Sequence, residues 1–239
     1  MKVISADFVT SAAAGGTTAG IPRDGLPQVA MAGRSNVGKS TLINALLRRQ
    51  VARTSAAPGK TRLANIFRIT VEGGPRRGSD QGGAGRWGLY LVDLPGYGYA
   101  RGGADSAGEL KAVAEAYFGA SKGPGPGEAI KGPVAGEEFR PGTGTLTTFL
   151  LVDSRHPGLE ADIQAYRWLA TLGIEPVIVA TKIDKLSRAE RTRNLRELEQ
   201  VFGKPALPVS AERGEGLDEL WTTIAKQARA AARRTRGDE

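Results

Sequence analysis

Gly33-Arg34-Ser35-Asn36-Val37-Gly38-Lys39-Ser40 is the stretch that decides how this chain folds. The apolar run Val29-Ala30-Met31-Ala32 leads into it and Thr41-Leu42-Ile43-Asn44-Ala45-Leu46-Leu47 leads out, so a strand enters the stretch and a helix leaves it. The framing glycines let the backbone curl until its N–H groups, from Gly33 through Arg34, Ser35, Asn36, Val37 and Gly38 to Thr41, surround phosphate oxygens, and the positive end of the helix reinforces that field. In such a loop Lys39 reaches the outer phosphates and the Ser40 hydroxyl ligates Mg²⁺. An ordinary strand-turn-helix corner shares part of this spacing, and a chain with 33 glycines offers many corners. The strand before the loop and the apolar helix after it are what favour the phosphate reading.

The 239 residues suffice for one large α/β domain or two small ones, and the pattern favours one domain with Gly-rich decorations. Residues 1–24 read as an N-terminal extension, 25–232 as the domain and 233–239 as a basic tail. Cysteine is absent, which excludes disulfides and thiolate metal sites and suits a reducing cytosol. The apolar runs are strand-sized, and Met1-Lys2-Val3-Ile4-Ser5-Ala6-Asp7 has no signal-type core, so a cytoplasmic monomer with no membrane contact is expected. Lys and Arg total 33 against 25 Asp and Glu, a net charge of +8. Much of the excess lies late, at Lys185, Arg188, Arg191, Arg193 and Arg196 and then at Lys226, Arg229, Arg233, Arg234 and Arg236. Nucleic-acid phosphates are one natural counterpart; Glu190, Glu197 and Glu199 among the first set fit an ordinary solvated helix face equally well.

Strand-like and helical runs alternate. Strands are expected at 28–32, 63–71, 87–92, 146–152, 175–180 and 206–209, and helices at 39–49, 106–119, 159–172, 187–201 and 216–232. That order predicts an α/β fold with a mainly parallel six-stranded sheet and helices on both faces. Ser187-Arg188-Ala189-Glu190 has the form of a capping box, and Leu217, Leu220, Trp221 and Ile224 recur at helical spacing, so Trp221, like Trp168, reads as a packing residue. Segments 73–86 and 121–145 are Gly-rich with no apolar periodicity and read as inserts, whose Arg76, Arg77, Lys122 and Lys131 are available to a polyanion.

Three further strand ends carry chemistry. Leu89-Tyr90-Leu91-Val92 ends on Asp93 and is followed by Leu94-Pro95-Gly96, which places a carboxylate near Mg²⁺ and the Gly96 N–H near a γ-phosphate. Thr181-Lys182-Ile183-Asp184 follows Val177-Ile178-Val179-Ala180, and a carboxylate there accepts two hydrogen bonds from the N1–H and 2-amino group of guanine, a pair that adenine does not offer. Lys182 would lie along the base. Ser210-Ala211-Glu212 follows Ala206-Leu207-Pro208-Val209, where the Ala211 N–H can donate to guanine O6. Each short motif alone fits a plain strand-to-helix loop; their order, each at the C-terminal end of a strand, points to a guanine nucleotide. Asp153-Ser154-Arg155-His156 invites a hydrolase-like triad, but neighbours in sequence at a strand end do not assemble one and no nucleophile elbow accompanies them.

The sequence resembles the EngB (YihA/YsxC) family of ribosome-biogenesis GTPases, within the translation-factor-related class. The resemblance is carried by the phosphate loop, Ala52-Arg53-Thr54-Ser55-Ala56-Ala57-Pro58-Gly59-Lys60-Thr61, Asp93-Leu94-Pro95-Gly96-Tyr97-Gly98-Tyr99-Ala100, Asp153-Ser154-Arg155-His156-Pro157 and Thr181-Lys182-Ile183-Asp184. It runs from about Leu26 to Lys226, interrupted by the two inserts. It implies hydrolysis of GTP to GDP and phosphate with Mg²⁺, as a switch in assembly of the large ribosomal subunit, with ribosomal RNA as partner of the basic surfaces. It also implies that Thr61 closes over Mg²⁺ and the γ-phosphate, and that Lys39, Thr61 and Gly96 carry the reaction. Thr181 stands where most GTPases have Asn, which removes an amide from the loop bracing. Tyr97 stands where many place a water-orienting Gln, so intrinsic turnover should be slow, and Asn36 resembles the residue that ligates K⁺ in cation-activated relatives. A P-loop ATPase or kinase of metabolism and a non-catalytic RNA-binding nucleotide sensor are the competing readings. Asp184 weighs against the first, and GTP turnover would exclude the second.

Overall fold

The computed structural model describes residues 1–12, 22, 24–52, 63–73, 85–97 and 146–234. The expected helix 106–119, the interior of both inserts, Thr61 and residues 235–239 lie outside the described residues.

The centre of the molecule is β2 (Gln28–Gly33), buried at every position. Its side chains divide by the two-residue strand period: Val29 and Met31 enter one core, Ala30 and Ala32 the other. A strand covered on both faces must read as a continuous apolar run, which is why the stretch before the phosphate loop has no polar alternation. β4 (Arg86–Asp93) and β5 (Leu146–Asp153) flank β2 in parallel, and β6 (Val177–Thr181) and the short β7 (Leu207–Pro208) continue the parallel side. β3 (Ala64–Glu72) pairs antiparallel with β4 and, on its other side, with β1 (Lys2–Ala12), giving the order β1-β3-β4-β2-β5-β6-β7.

The seventh strand corrects the sequence reading. Residues of the expected N-terminal extension form β1 (Lys2–Ala12), paired antiparallel with β3 from Lys2 opposite Glu72 to Ala12 opposite Ala64. Its register slips between Val3 and Ser5 and again between Phe8 and Thr10. Those irregularities erase the period-2 signal, and as an edge strand it leaves Phe8 60% exposed.

Helices cover both faces. α1 (Lys39–Leu47) and α4 (Leu217–Arg234) pack on the Val29/Met31 side, where Trp221 is buried and its Nε1 donates to Leu46 O at 3.1 Å. α2 (Glu160–Thr171) and α3 (Arg188–Phe202) pack on the other, through Leu169, Leu198 and Phe202. Trp168 packs at the margin of that core. The capping box at the start of α3 is complete: the Ser187 Oγ accepts from the Glu190 N–H and the Glu190 carboxylate accepts from the Ser187 N–H. α4 runs to Arg234, two residues into the expected tail. The first insert leaves from the far end of the β3–β4 hairpin, where Gly73 N donates to Gly85 O at 3.4 Å and Arg86 already belongs to β4. The length of β4, roughly 25 Å at a strand's rise per residue, separates Gly73 and Gly85 from Asp93.

Candidate active site

All the expected site residues within the described part of the chain gather at the C-terminal ends of β2, β4, β6 and β7, one edge of the sheet. Gly33 closes β2, and a Cβ there would lie 2.9 Å from Val37 Cγ1, so the loop can only pack over a glycine. Asn36 and Gly38 turn through the left-handed region, with φ 63° and 99°. Gly38 then starts α1 with no side chain capping it; the first helical bond is Leu42 N to Gly38 O, which leaves the N–H groups of the first turn, at Lys39, Ser40 and Thr41, for an anion.

Lys39 Nζ donates to Asp93 Oδ1 at 2.5 Å, and the two side chains are 10% and 4% exposed. The expected phosphate lysine and metal carboxylate thus meet across the ends of β2 and β4. A hydroxyl, a carboxylate and an ammonium beside an uncapped helix start are the donor set that a Mg²⁺–triphosphate requires. Ser40 and Asp93 are the side chains that would hold the ion, which when bound offsets phosphate charge. Gly96 lies directly on the loop: a Cβ would be 3.0 Å from Ser35 Oγ and 3.1 Å from the Ser35 backbone.

At the ends of β6 and β7, Asp184 has a side chain only 4% exposed; its Oδ1 accepts from Ser210 Oγ at 2.6 Å and its Oδ2 faces Lys185 Nζ at 3.2 Å. Burial would raise its pKa, but the bonds from Ser210 and Lys185 outweigh it and hold the carboxyl below its usual value. Its own backbone N–H donates to it as well, and the lone pair that remains is what the carboxylate offers to a base edge. Ser210, fully buried, also accepts from Arg213 N at 3.0 Å, so it orients Asp184 and shapes the turn that carries Ala211. Thr181 compensates for the missing amide: its buried hydroxyl lies 2.8 Å from Val37 O and 3.1 Å from Val152 O, joining β6 to the phosphate loop. Lys182, itself at φ 60°, donates to Asn36 O at 2.6 Å and to Asp153 Oδ2 at 2.9 Å.

Against this geometry the relatives can be named. A protein 38% identical over 232 residues, covering 95% of this chain and 96% of the relative, is the "Probable GTP-binding protein EngB" of Pelotomaculum thermopropionicum; that of Solibacter usitatus is also 38% identical, over 94% and 96%. The chain belongs to the EngB family. A family model described as "50S ribosome-binding GTPase" matches residues 28–122. The crystal structure of a probable GTP-binding protein EngB superposes with a TM-score of 0.56 at 21% identity, over 85% of this chain and 99% of that one, and carries the fold. As an EngB-family protein the chain is a P-loop GTPase.

EngB membership leaves three contributions that the sequence reading did not assign. Asp153 receives the Arg155 guanidinium on both oxygens, at 2.9 and 2.8 Å, besides Lys182. Burial works to raise its pKa, yet these bonds hold the carboxyl well below the ordinary carboxylate range. The signal was present, since β5 ends on a carboxylate just as β4 does. Asn44 grips the chain leaving α1: its Oδ1 accepts from Val51 N and Ala52 N at 2.9 and 2.8 Å, fixing the start of the segment that leads to Thr61. Asp162 is buried with Leu169 on the inward face of α2, a carboxylate at i, i+7 on an apolar stripe. His156 is exposed and belongs to the turn after β5, where its N–H donates to Asp153 O at 3.0 Å.

Proposed function

We propose that this protein cycles between GTP and GDP as a switch in assembly of the large ribosomal subunit, with ribosomal RNA meeting its basic surfaces and K⁺ at Asn36 assisting turnover. The observation that carries the nucleotide half is the Asp184 carboxylate just beyond the end of β6, largely buried and held by Ser210 and Lys185. The ribosomal half is supported by the match at residues 28–122 to a family described as ribosome-binding and by the net charge of +8. Asn36 is exposed in a left-handed turn of the phosphate loop, which leaves its amide free to meet a cation beside the phosphates. Tyr97 commits its hydroxyl to Asp162 and supplies no water-orienting amide, so the transition-state charge must come from an ion or a bound particle.

One assay tests the three parts. Large subunits are sedimented with the protein in GDP or a non-hydrolysable GTP analogue, and turnover is followed in K⁺ and in Na⁺ at equal ionic strength. Co-sedimentation should depend on the γ-phosphate, K⁺ should accelerate turnover, and Asn36→Ala should abolish that acceleration. Sedimentation indifferent to nucleotide removes the switch, and equal rates in both salts remove the cation.

A further inference from the structure

Tyr97 follows Gly96, whose N–H would meet a γ-phosphate, and its two ends go to different places. Its backbone is stitched to the phosphate loop: Ser35 N donates to Tyr97 O at 2.9 Å, Ser35 Oγ donates to Gly96 O at 3.3 Å, and Arg34 and Tyr97 pair as a parallel bridge beyond the ends of β2 and β4. Its side chain crosses to α2 and donates to Asp162 Oδ1 at 2.9 Å. Asp162 is 1% exposed and contacts no part of the site described above except Tyr97 among the bonds formed by the described residues. A buried carboxylate costs desolvation, which its place in the first turn of α2 offsets in part, and the Tyr97 hydroxyl supplies a side-chain hydrogen bond to it. Arg34, whose Nε is buried without a hydrogen-bond partner among the described residues, adds its positive charge beside both groups. Burial and the Asp162 charge push the Tyr97 hydroxyl well above its usual value, so it stays a donor throughout the neutral range.

We propose that Asp162 is a positioning residue for γ-phosphate recognition: through Tyr97 it holds Gly96 against the phosphate loop, so that the Gly96 N–H is fixed before the triphosphate arrives. The proposal rests on the assignment of GTP to this site. Gly96 has no side chain of its own to restrain it, and fixing one such residue in advance of binding is worth about tenfold in affinity. GDP does not reach Gly96 and gains nothing from the tether. The tether therefore sets the preference for GTP over GDP, not affinity for guanine nucleotides in general.

The test compares Kd values for GDP and a non-hydrolysable GTP analogue, in Mg²⁺, for the full chain and for Tyr97→Phe, Asp162→Leu and the double variant. Each single variant should lower the GTP-to-GDP preference about tenfold, and the double variant should lower it no further, since both remove the same bond. Asp162→Asn, which keeps an acceptor for the hydroxyl, should restore most of the preference. Tyr97→Phe removes one oxygen and nothing else, so it decides the question if Asp162→Leu does not fold. An unchanged ratio, a parallel loss of both affinities or additive effects overturns the tether while leaving the nucleotide assignment standing. A wild-type chain that binds neither guanine nucleotide overturns both.

Discussion

At the ends of β2 and β4 the site is framed by backbone around Lys39, Ser40 and Asp93: Gly33, Gly38 and Gly96 each permit an approach or a turn that a side chain would obstruct, and an uncapped helix start supplies donors. At the ends of β5, β6 and β7 it is made of side chains, with Asp184 set by Ser210 and Lys185, and Asp153 by Arg155 and Lys182. The difference follows from the ligand. Phosphates are symmetric and charged, so N–H dipoles and positive charge hold them without regard to the base; a base must be told from other bases, which needs acceptors at fixed positions. Lys182 joins the halves, with one ammonium shared between Asn36 O and Asp153. Alteration of the base half should therefore change which nucleotide binds, and alteration of the phosphate half how tightly any nucleotide binds.

The largest effect expected is on specificity. Asp184→Asn keeps an oxygen to accept the Ser210 hydroxyl but presents an amide where Lys185 now sits, and Lys185 retains Glu212 at 2.7 Å. The amide donates to the 2-oxo group of xanthine where the carboxylate accepted from the guanine amino group. Mispaired buried edges of this kind discriminate on the order of 10⁴-fold. Competition between GTP and xanthosine triphosphate should show the preference inverted; an unchanged preference would take Asp184 out of the base pocket.

The phosphate half should respond without regard to the base. Lys39→Ala removes a charge and should lower affinity for GTP, GDP and their xanthine counterparts alike by roughly a hundredfold, in Mg²⁺ and in EDTA. It also leaves Asp93 buried without its 2.5 Å partner, so thermal melting of the nucleotide-free protein should fall as well. Ser40→Ala should cost less, about tenfold, and only in Mg²⁺, because it removes a metal ligand and no phosphate charge. Equal losses in EDTA and Mg²⁺ would contradict the Ser40 assignment.

The same contrast explains what the sequence disclosed. The phosphate half is local: its turn conformations and charges lie within Gly33 to Ser40, so residue type and spacing carry the geometry. The base half draws Asp153, Thr181, Lys182, Asp184 and Ser210 from three strand ends, so the order of short motifs along the chain points to a base but not to the bonds between them. That order supplies Asp184 and not the Asp153–Lys182 bond, which depends on β5 and β6 lying side by side. Asp162 was hidden for a similar reason, since its partner Tyr97 belongs to another layer of the fold. β1 was missed because two slips in register remove the alternation that marks a strand, although the inner strands β2, β4, β5 and β6 were each found to within two residues.

The remaining effect expected is on stability and not on nucleotide choice, and it separates the halves by pH. Asp153 is 2% exposed by its side chain, and its pKa in the folded protein is held well below that of an unfolded aspartate, about 3.9. A carboxyl lowered in this way contributes stability that is complete above the unfolded value and is lost as pH falls toward the folded one. Unfolding of the wild type by urea should therefore weaken by on the order of 2 kcal/mol between about pH 5 and pH 2 through this residue. Asp153→Asn should start lower at pH 7, because Arg155 and Lys182 lose their shared acceptor, yet both are partly exposed and rehydrate, so the deficit stays near 1–3 kcal/mol. The gap between wild type and variant should then close as the pH drops, and guanine affinity should fall with the wild-type stability because Lys182 is left with Asn36 alone. A gap that stays constant from pH 7 to pH 3 would mean that the neutral side chain holds Lys182 and Arg155 as well as the charged one, and the base half would then be organised by shape and not by charge.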